Sequence, residues 1–90
     1  MEKAMPEISR FFGISILMYF NDHSPPHFHA KYNEHRAVFR ITDMMMVEGA
    51  LPARVAALVF EWASLHRSEL AECWNALAET GTLKRIAPLV

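Results

Sequence analysis

The spacing of hydrophobic positions changes near residue 50. Before that point aromatic and β-branched residues occur in short runs, and Ala37, Phe39 and Ile41 share one face of a short segment, which is typical of a β-strand. After it, two groups of apolar residues recur at the three- and four-residue spacing of an amphipathic helix. These groups are Val55, Leu58, Val59 and Trp62, then Leu70, Cys73, Trp74 and Leu77. The pattern predicts an α+β fold, in which a small antiparallel sheet from the N-terminal half packs against two C-terminal helices.

Turn-forming residues set the limits of the predicted strands. Strands are expected over 8–12, 14–20, 27–32 and 35–41, with a short edge strand over 44–47. Gly13 indicates a tight turn or a bulge. Asn33 and Glu34 indicate a hairpin turn, because Asn tolerates the left-handed backbone conformation that such a turn needs.

The second half of the chain predicts two helices, over 53–66 and 68–79. Pro52 suits a first helical position, where its missing N–H costs nothing. Ser68 is expected to cap the second helix, and Gly81 to end it. We therefore expect one domain over 1–90, with an extension at 1–4, the sheet and a histidine-rich loop at 5–47, the helices at 52–80 and a tail at 82–90.

Composition and charge favour a soluble cytoplasmic protein. Nine Lys and Arg against ten Asp and Glu give a net charge of −1, so there is no overall basic field to attract nucleic acid. The longest apolar run is too short for a membrane span, and no secretory leader is expected. The single cysteine, Cys73, suits a reducing compartment. A hydrophobic content of 52% in so short a chain also suggests self-association.

Three of the five histidines lie in the segment NDHSPPHFHAKY, residues 21–32. On a strand, His27 and His29 project from one face about 6.6–6.8 Å apart, close enough to converge on one metal ion. His23 could fold back over that face, and Asp22 could add a carboxylate. His66 is a more distant candidate. These residues suggest a metal site, with Zn²⁺ as the first choice of ion.

Two other interpretations of the cluster stay open. In the first, the histidines act without metal as acid and base while Lys31 or an arginine steadies an anion such as phosphate, as in a small ribonuclease. In the second, the imidazoles serve only the structure of the loop and sheet. No HExxH or CxxC pattern decides among the three.

The segments MPEISRFFGI, MYFNDHSPPHFHAKY and LPARVAALVFEWASLHRSEL resemble a small bacterial family catalogued as domain of unknown function 4160. The likeness runs from Met5 almost to Leu89. It directs attention to a motif of Asn21, Asp22, His23, His27, His29 and Tyr32. Asn33 stands where the family commonly has glycine, and residues 1–4 precede the family's usual Met-Pro start, so we expect translation to begin at Met5.

The resemblance implies stand-alone small proteins, often encoded beside a second small protein in an arrangement like a toxin–antitoxin module. The preferred hypothesis is therefore an interaction module that binds a small protein partner, the neighbouring gene product. The alternative is a small ribonuclease or metal-dependent hydrolase that uses His23, His27 and His29, with RNA as one substrate class. Sequence-specific DNA binding is disfavoured, because the second predicted helix carries Glu69, Glu72 and Glu79 and no basic residue.

Overall fold

Five consecutive strands form one antiparallel sheet in the order β1-β2-β3-β4-β5. The structure is a computed structural model and describes residues 6–20 and 22–90. The strands are β1 (Glu7–Phe11), β2 (Ile14–Leu17), β3 (His27–Tyr32), β4 (His35–Arg40) and β5 (Met46–Ala50), and the helices are α1 (Ala53–Leu65) and α2 (Arg67–Thr80). The predicted α+β architecture is confirmed. The expected extension at 1–4, the expected start at Met5 and the motif residue Asn21 lie outside the described residues.

Tight hairpin turns connect β1 to β2 and β3 to β4. Phe12 and Gly13, between β1 and β2, have φ of 51° and 77°, as a two-residue turn of the primed type requires. Asn33, between β3 and β4, has φ of 53°. The turn at Asn33 was predicted, and of the tight turn or bulge expected at Gly13 the structure has the turn; each turn leaves its second strand antiparallel to the first. Strands that are consecutive in the chain are therefore neighbours in the sheet.

One face of the sheet and both helices enclose the core. Phe28 and Phe39 stack with ring centroids 5.3 Å apart, and Trp62 of α1 meets Phe28 edge to face at 5.9 Å. The Trp62 indole also donates a hydrogen bond of 2.8 Å to the carbonyl of Ala87, which fastens the C-terminal tail. Val59 and Leu70 are fully buried beside them. The predicted helical stripes do cover the sheet, although Leu58 and Trp74 of those stripes are only half-buried.

The edge strand differs from the prediction. It was expected over 44–47 but spans Met46–Ala50. Met44 has φ of 59° and lies in a turn that Arg40 and Asp43 brace with an ion pair of 2.7 Å. The strand begins two residues later than expected, and its register against β4 shifts between Val38 and Phe39. The strand also continues through Gly49, which the sequence had placed outside it.

Two smaller corrections concern element ends. The proposed cap at Ser68 is wrong, because His66 occupies the N-cap of α2 and caps without a side-chain bond. The His66 N–H bonds back to the carbonyls of Trp62 and Ala63 and its own carbonyl accepts from Leu70, so one residue ends α1 and starts α2. Strand β2 ends at Leu17, short of the predicted residue 20. Gly81 ends α2 as predicted, with φ of 73°.

No helix in the described part of the chain is long and apolar enough to cross a membrane.

Candidate metal centre

The start of β3 presents two histidines on one face of the sheet. His27 and His29 alternate with Phe28, whose fully buried ring points into the core. Because side chains alternate across a strand, burial of Phe28 fixes both imidazoles on the opposite side. We call that side the open face; His29, Val38 and Glu48 form one cross-strand row on it.

Asp22 joins the two histidines from the preceding loop. Its Oδ2 lies 2.9 Å from His27 Nε2 and 3.4 Å from His29 Nε2. The backbone N–H of His23 donates to the other carboxylate oxygen at 2.9 Å and so holds the group in place. One ligand atom from each of Asp22, His27 and His29 lies within 4.8 Å of the other two. The loop thus places a carboxylate beside the two imidazoles of β3.

The hydrogen bonds of His27 fix which ring nitrogen carries a proton. A carbonyl can only accept, so Nδ1 must donate to Pro25 O, which is 2.7 Å away. In a neutral ring Nε2 is then an unprotonated lone pair, and it faces a carboxylate oxygen of Asp22. Two acceptors at this distance repel each other unless a cation, a proton or a metal ion, lies between them. Either a second ring proton on Nε2 or a metal ion between His27 and Asp22 satisfies this geometry.

The ionisation states of Asp22 and His29 suit metal coordination. Burial would raise the pKa of the Asp22 carboxyl, but the hydrogen bond from the His23 N–H and the contacts of the carboxylate with the His29 and His27 rings outweigh it and hold the pKa below its usual 3.8. Burial lowers the pKa of His29 below its usual 6.5, and the hydrogen bond to Asp22 offsets this only in part. At neutral pH the carboxylate is charged and the His29 ring is neutral, which are the forms that bind metals.

Two aromatic side chains flank the cluster. The Tyr19 ring meets His29 edge to face with centroids 4.7 Å apart, and Trp74 of α2 packs on His27 at 5.2 Å. His27, beneath Trp74, is only 7% exposed. Sequence reasoning missed both: it assigned Trp74 to the core and did not consider Tyr19. Tyr19 could have been found, because it continues the alternation of Ser15 and Leu17, and Leu17 pairs with His29.

The other residues singled out by the sequence take different positions. His23 is mostly solvent-exposed, with Nδ1 3.1 Å from the second oxygen of Asp22, and lies outside the three-residue group. Lys31 follows His29 on the same face of β3, paired with Arg36 of β4. His66 lies at the junction of the helices, against the Trp62 ring and bonded to Glu69.

A groove opens above the cluster on the open face. It has a volume of about 300 Å³, and Arg40 and Glu48 line it together with the three ligand candidates. Four ligands at about 2.1 Å around a tetrahedral ion are roughly 3.4 Å apart. The 3.4 Å between His29 and Asp22 already meets that spacing, and the 2.9 Å between His27 and Asp22 needs a small opening. Two nitrogens and one oxygen would leave one of the four coordination positions open.

A comparison with protein families agrees with the resemblance seen in the sequence. The family model described as Domain of unknown function (DUF4160) matches residues 13–75, a stretch that contains the whole cluster. Searches of curated proteins and of solved structures give no match. The family description names no reaction, ligand or partner.

Proposed function

The chain belongs to the domain of unknown function 4160 family, and we propose that it is a metal-dependent hydrolase whose ion, Zn²⁺ first, is held by Asp22, His27 and His29. Two histidines and a carboxylate form a common ligand set of catalytic zinc sites, which keep a position open for water. When bound, zinc lowers the pKa of such a water to about 7 and acts as a Lewis acid.

The observation that carries this proposal is the bonding of His27 on both sides. Metal-binding histidines usually donate the second ring N–H to a carbonyl or carboxylate, which orients the ring and fixes its tautomer. The bond from Nδ1 to Pro25 O is such a contact. It leaves Nε2 directed at Asp22 and at the position that a cation would take. His29 Nε2 approaches the same carboxylate oxygen, so the three side chains converge on one position.

Metal content of the purified, untagged protein tests the proposal. We expect about one zinc per chain by elemental mass spectrometry, and loss of that zinc in the double variant His27→Ala/His29→Ala. His35→Ala is the matched control, because His35 lies at the start of β4 and outside the three-residue group. A wild-type protein that is purified without metal and takes up none of the added Zn²⁺ would overturn the proposal.

The interaction-module hypothesis has its own supporting observation and stays as a second candidate. All five residues of β5 are exposed, and Met46 and Val47 are 39% and 48% exposed. Among the described strands, β5 pairs only with β4, so its outer edge can accept a further strand. We propose on this basis that a small protein partner, encoded by a neighbouring gene as in a toxin–antitoxin-like pair, adds a strand at β5.

Co-expression tests the partner hypothesis directly. A tagged copy of this chain should retain the neighbouring gene product through size-exclusion chromatography. Val47→Pro should release the partner, because proline blocks pairing at a strand edge. Leu65→Ser, which removes an exposed apolar side chain away from the edge, should leave the complex intact. A chain that elutes alone in all cases would count against this role.

A further inference from the structure

We infer that Lys31 and Arg36 form an anion subsite that receives the phosphate group of an ester substrate beside the metal centre. The inference rests on the proposed hydrolase function and names its substrate class. Lys31 and Arg36 are directly paired residues of β3 and β4 on the open face. Lys31 is two residues from the ligand candidate His29 on the same side of the strand, a separation of roughly 6.6–6.8 Å.

The pairing of Lys31 with Arg36 is unfavourable without an anion. Like charges directly opposite each other destabilise a pair of strands. In the described residues, neither side chain lies within 4.0 Å of a carboxylate, whereas Arg10, in the same cross-strand row, is paired with Glu7 at 2.9 Å. Two opposed cations with no described carboxylate within 4.0 Å suit an anion-binding site in its empty form.

A groove joins this pair to the metal centre. Its volume is about 290 Å³, and its lining includes His29, Lys31, Arg36 and Glu48. His29 and Glu48 also line the groove above the ligand candidates, so the two depressions share a wall. An anion between Lys31 and Arg36 would therefore lie next to the open coordination position.

The charge balance favours phosphate over a carboxylate. A zinc ion with Asp22 carries +1, Lys31 and Arg36 add +2, and Glu48 removes 1, which leaves +2. A phosphate ester carries up to two negative charges and several acceptor oxygens, and an arginine fork can bind two of them at once. Hydrolysis would add the oxygen of water to phosphorus, break the ester P–O bond and pass the water proton to the departing alkoxide.

Titration with inorganic phosphate, followed by amide NMR shifts at low ionic strength, tests the subsite with and without zinc. We expect phosphate to shift Lys31 and Arg36, and its affinity to fall by about tenfold or more in Lys31→Gln/Arg36→Gln. Arg10→Gln makes a charge change of the same kind in the same row and should leave the affinity within about twofold. Glu48→Gln removes the opposing charge and should tighten binding. Equal affinity in the wild type and the double variant, or no binding to the wild type, would overturn the inference.

The two proposals fail separately. Zinc bound with normal affinity, together with phosphate binding that ignores Lys31 and Arg36, removes the subsite and leaves the metal centre. If the protein never takes up zinc, but phosphate binding to the wild type is lost in Lys31→Gln/Arg36→Gln, the subsite is supported and the hydrolase proposal is overturned. In zinc-loaded protein, p-nitrophenyl phosphate and bis(p-nitrophenyl) phosphate then distinguish a monoester from a diester substrate, and Lys31→Gln/Arg36→Gln should slow whichever is cleaved.

Discussion

The indole of Trp74 packs on the imidazole of His27, with ring centroids 5.2 Å apart. A residue of α2 thus touches a ligand candidate at the start of β3, and the fluorescence of Trp74 should respond to an ion bound there. Co²⁺, a quenching substitute for Zn²⁺, should reduce the emission, and excess Zn²⁺ should restore it.

Trp74→Phe should remove most of that quenching. Trp62, which is fully buried on the other face of the sheet, remains in this variant and provides an internal reference signal. Quenching of the same size in Trp74→Phe would mean that the ion binds elsewhere.

Removal of the shared carboxylate should weaken metal binding strongly. Asp22→Asn keeps the size of the side chain but removes the charge that both imidazoles approach. We expect zinc affinity to fall by at least about 100-fold, the upper end of what changes in the outer ligand shell produce. His23→Gln is the control, because the His23 side chain is 87% exposed, and competition with a chromophoric chelator measures both variants. A zinc affinity of Asp22→Asn equal to that of the wild type would exclude Asp22 as a ligand.

Gly49 should tolerate no side chain. Its φ is +81°, and a Cβ there would lie 2.1 Å from the carbonyl oxygen of Arg36 and 2.9 Å from the Cα of Ala37. Those atoms belong to the backbone of β4 and cannot move aside, so Gly49→Ala should lower the free energy of unfolding by about 2 kcal/mol or more.

Gly13→Asn is the matched control for that substitution. Gly13 also has a positive φ, but its nearest neighbour to a Cβ is the Tyr32 ring at 3.7 Å, and Asn adopts this conformation readily. Urea denaturation should show a much smaller loss for Gly13→Asn than for Gly49→Ala. Equal losses would mean that the close approach of the β4 backbone contributes little at Gly49.

Cys73 should behave as a buried, protonated thiol. Burial raises the pKa of Cys73 above its ordinary 9.0, and its Sγ donates to the carbonyl of Lys84 at 3.5 Å. We expect a thiol reagent such as DTNB at pH 8 to react at least about tenfold more slowly with the native protein than with the urea-unfolded chain. Fast labelling of the native protein would show that the region around α2 opens readily.

The same pKa shift gives a pH dependence of known sign. The folded state keeps the thiol proton at a pH where the unfolded chain has lost it, so the stabilising contribution is complete below pH 9.0 and declines as the pH rises above it. In Cys73→Ser the free energy of unfolding should therefore fall less between pH 8 and pH 10 than in the wild type.

Local pattern was enough to predict the strand that carries the site. Alternation placed His27 and His29 on one face and Phe28 on the other, and the turn residues placed both ends of β3 correctly. The same reasoning misplaced β5, because the register shift at Val38 and the left-handed Met44 depend on how β4 and the turn fit together.

The side chains that complete the site around the two histidines could not be predicted from the local pattern. Asp22 reaches the imidazoles only through the path of the loop, and Trp74 reaches His27 only because α2 lies across this end of the sheet. The cap predicted at Ser68 was wrong for a related reason. A single residue, His66, connects the two helices, so α2 begins at Arg67 and Ser68 lies inside it.

Every strand of the sheet pairs with its neighbour in the chain. Contacts of this kind have short sequence separation, so little loop-closure entropy is lost before each pairing is stabilised, and low contact order is associated with fast folding. The ligand candidates span only residues 22–29, within one such hairpin. We therefore expect the centre to assemble early on the folding pathway, as soon as β2 meets β3, with the helices closing over it afterwards.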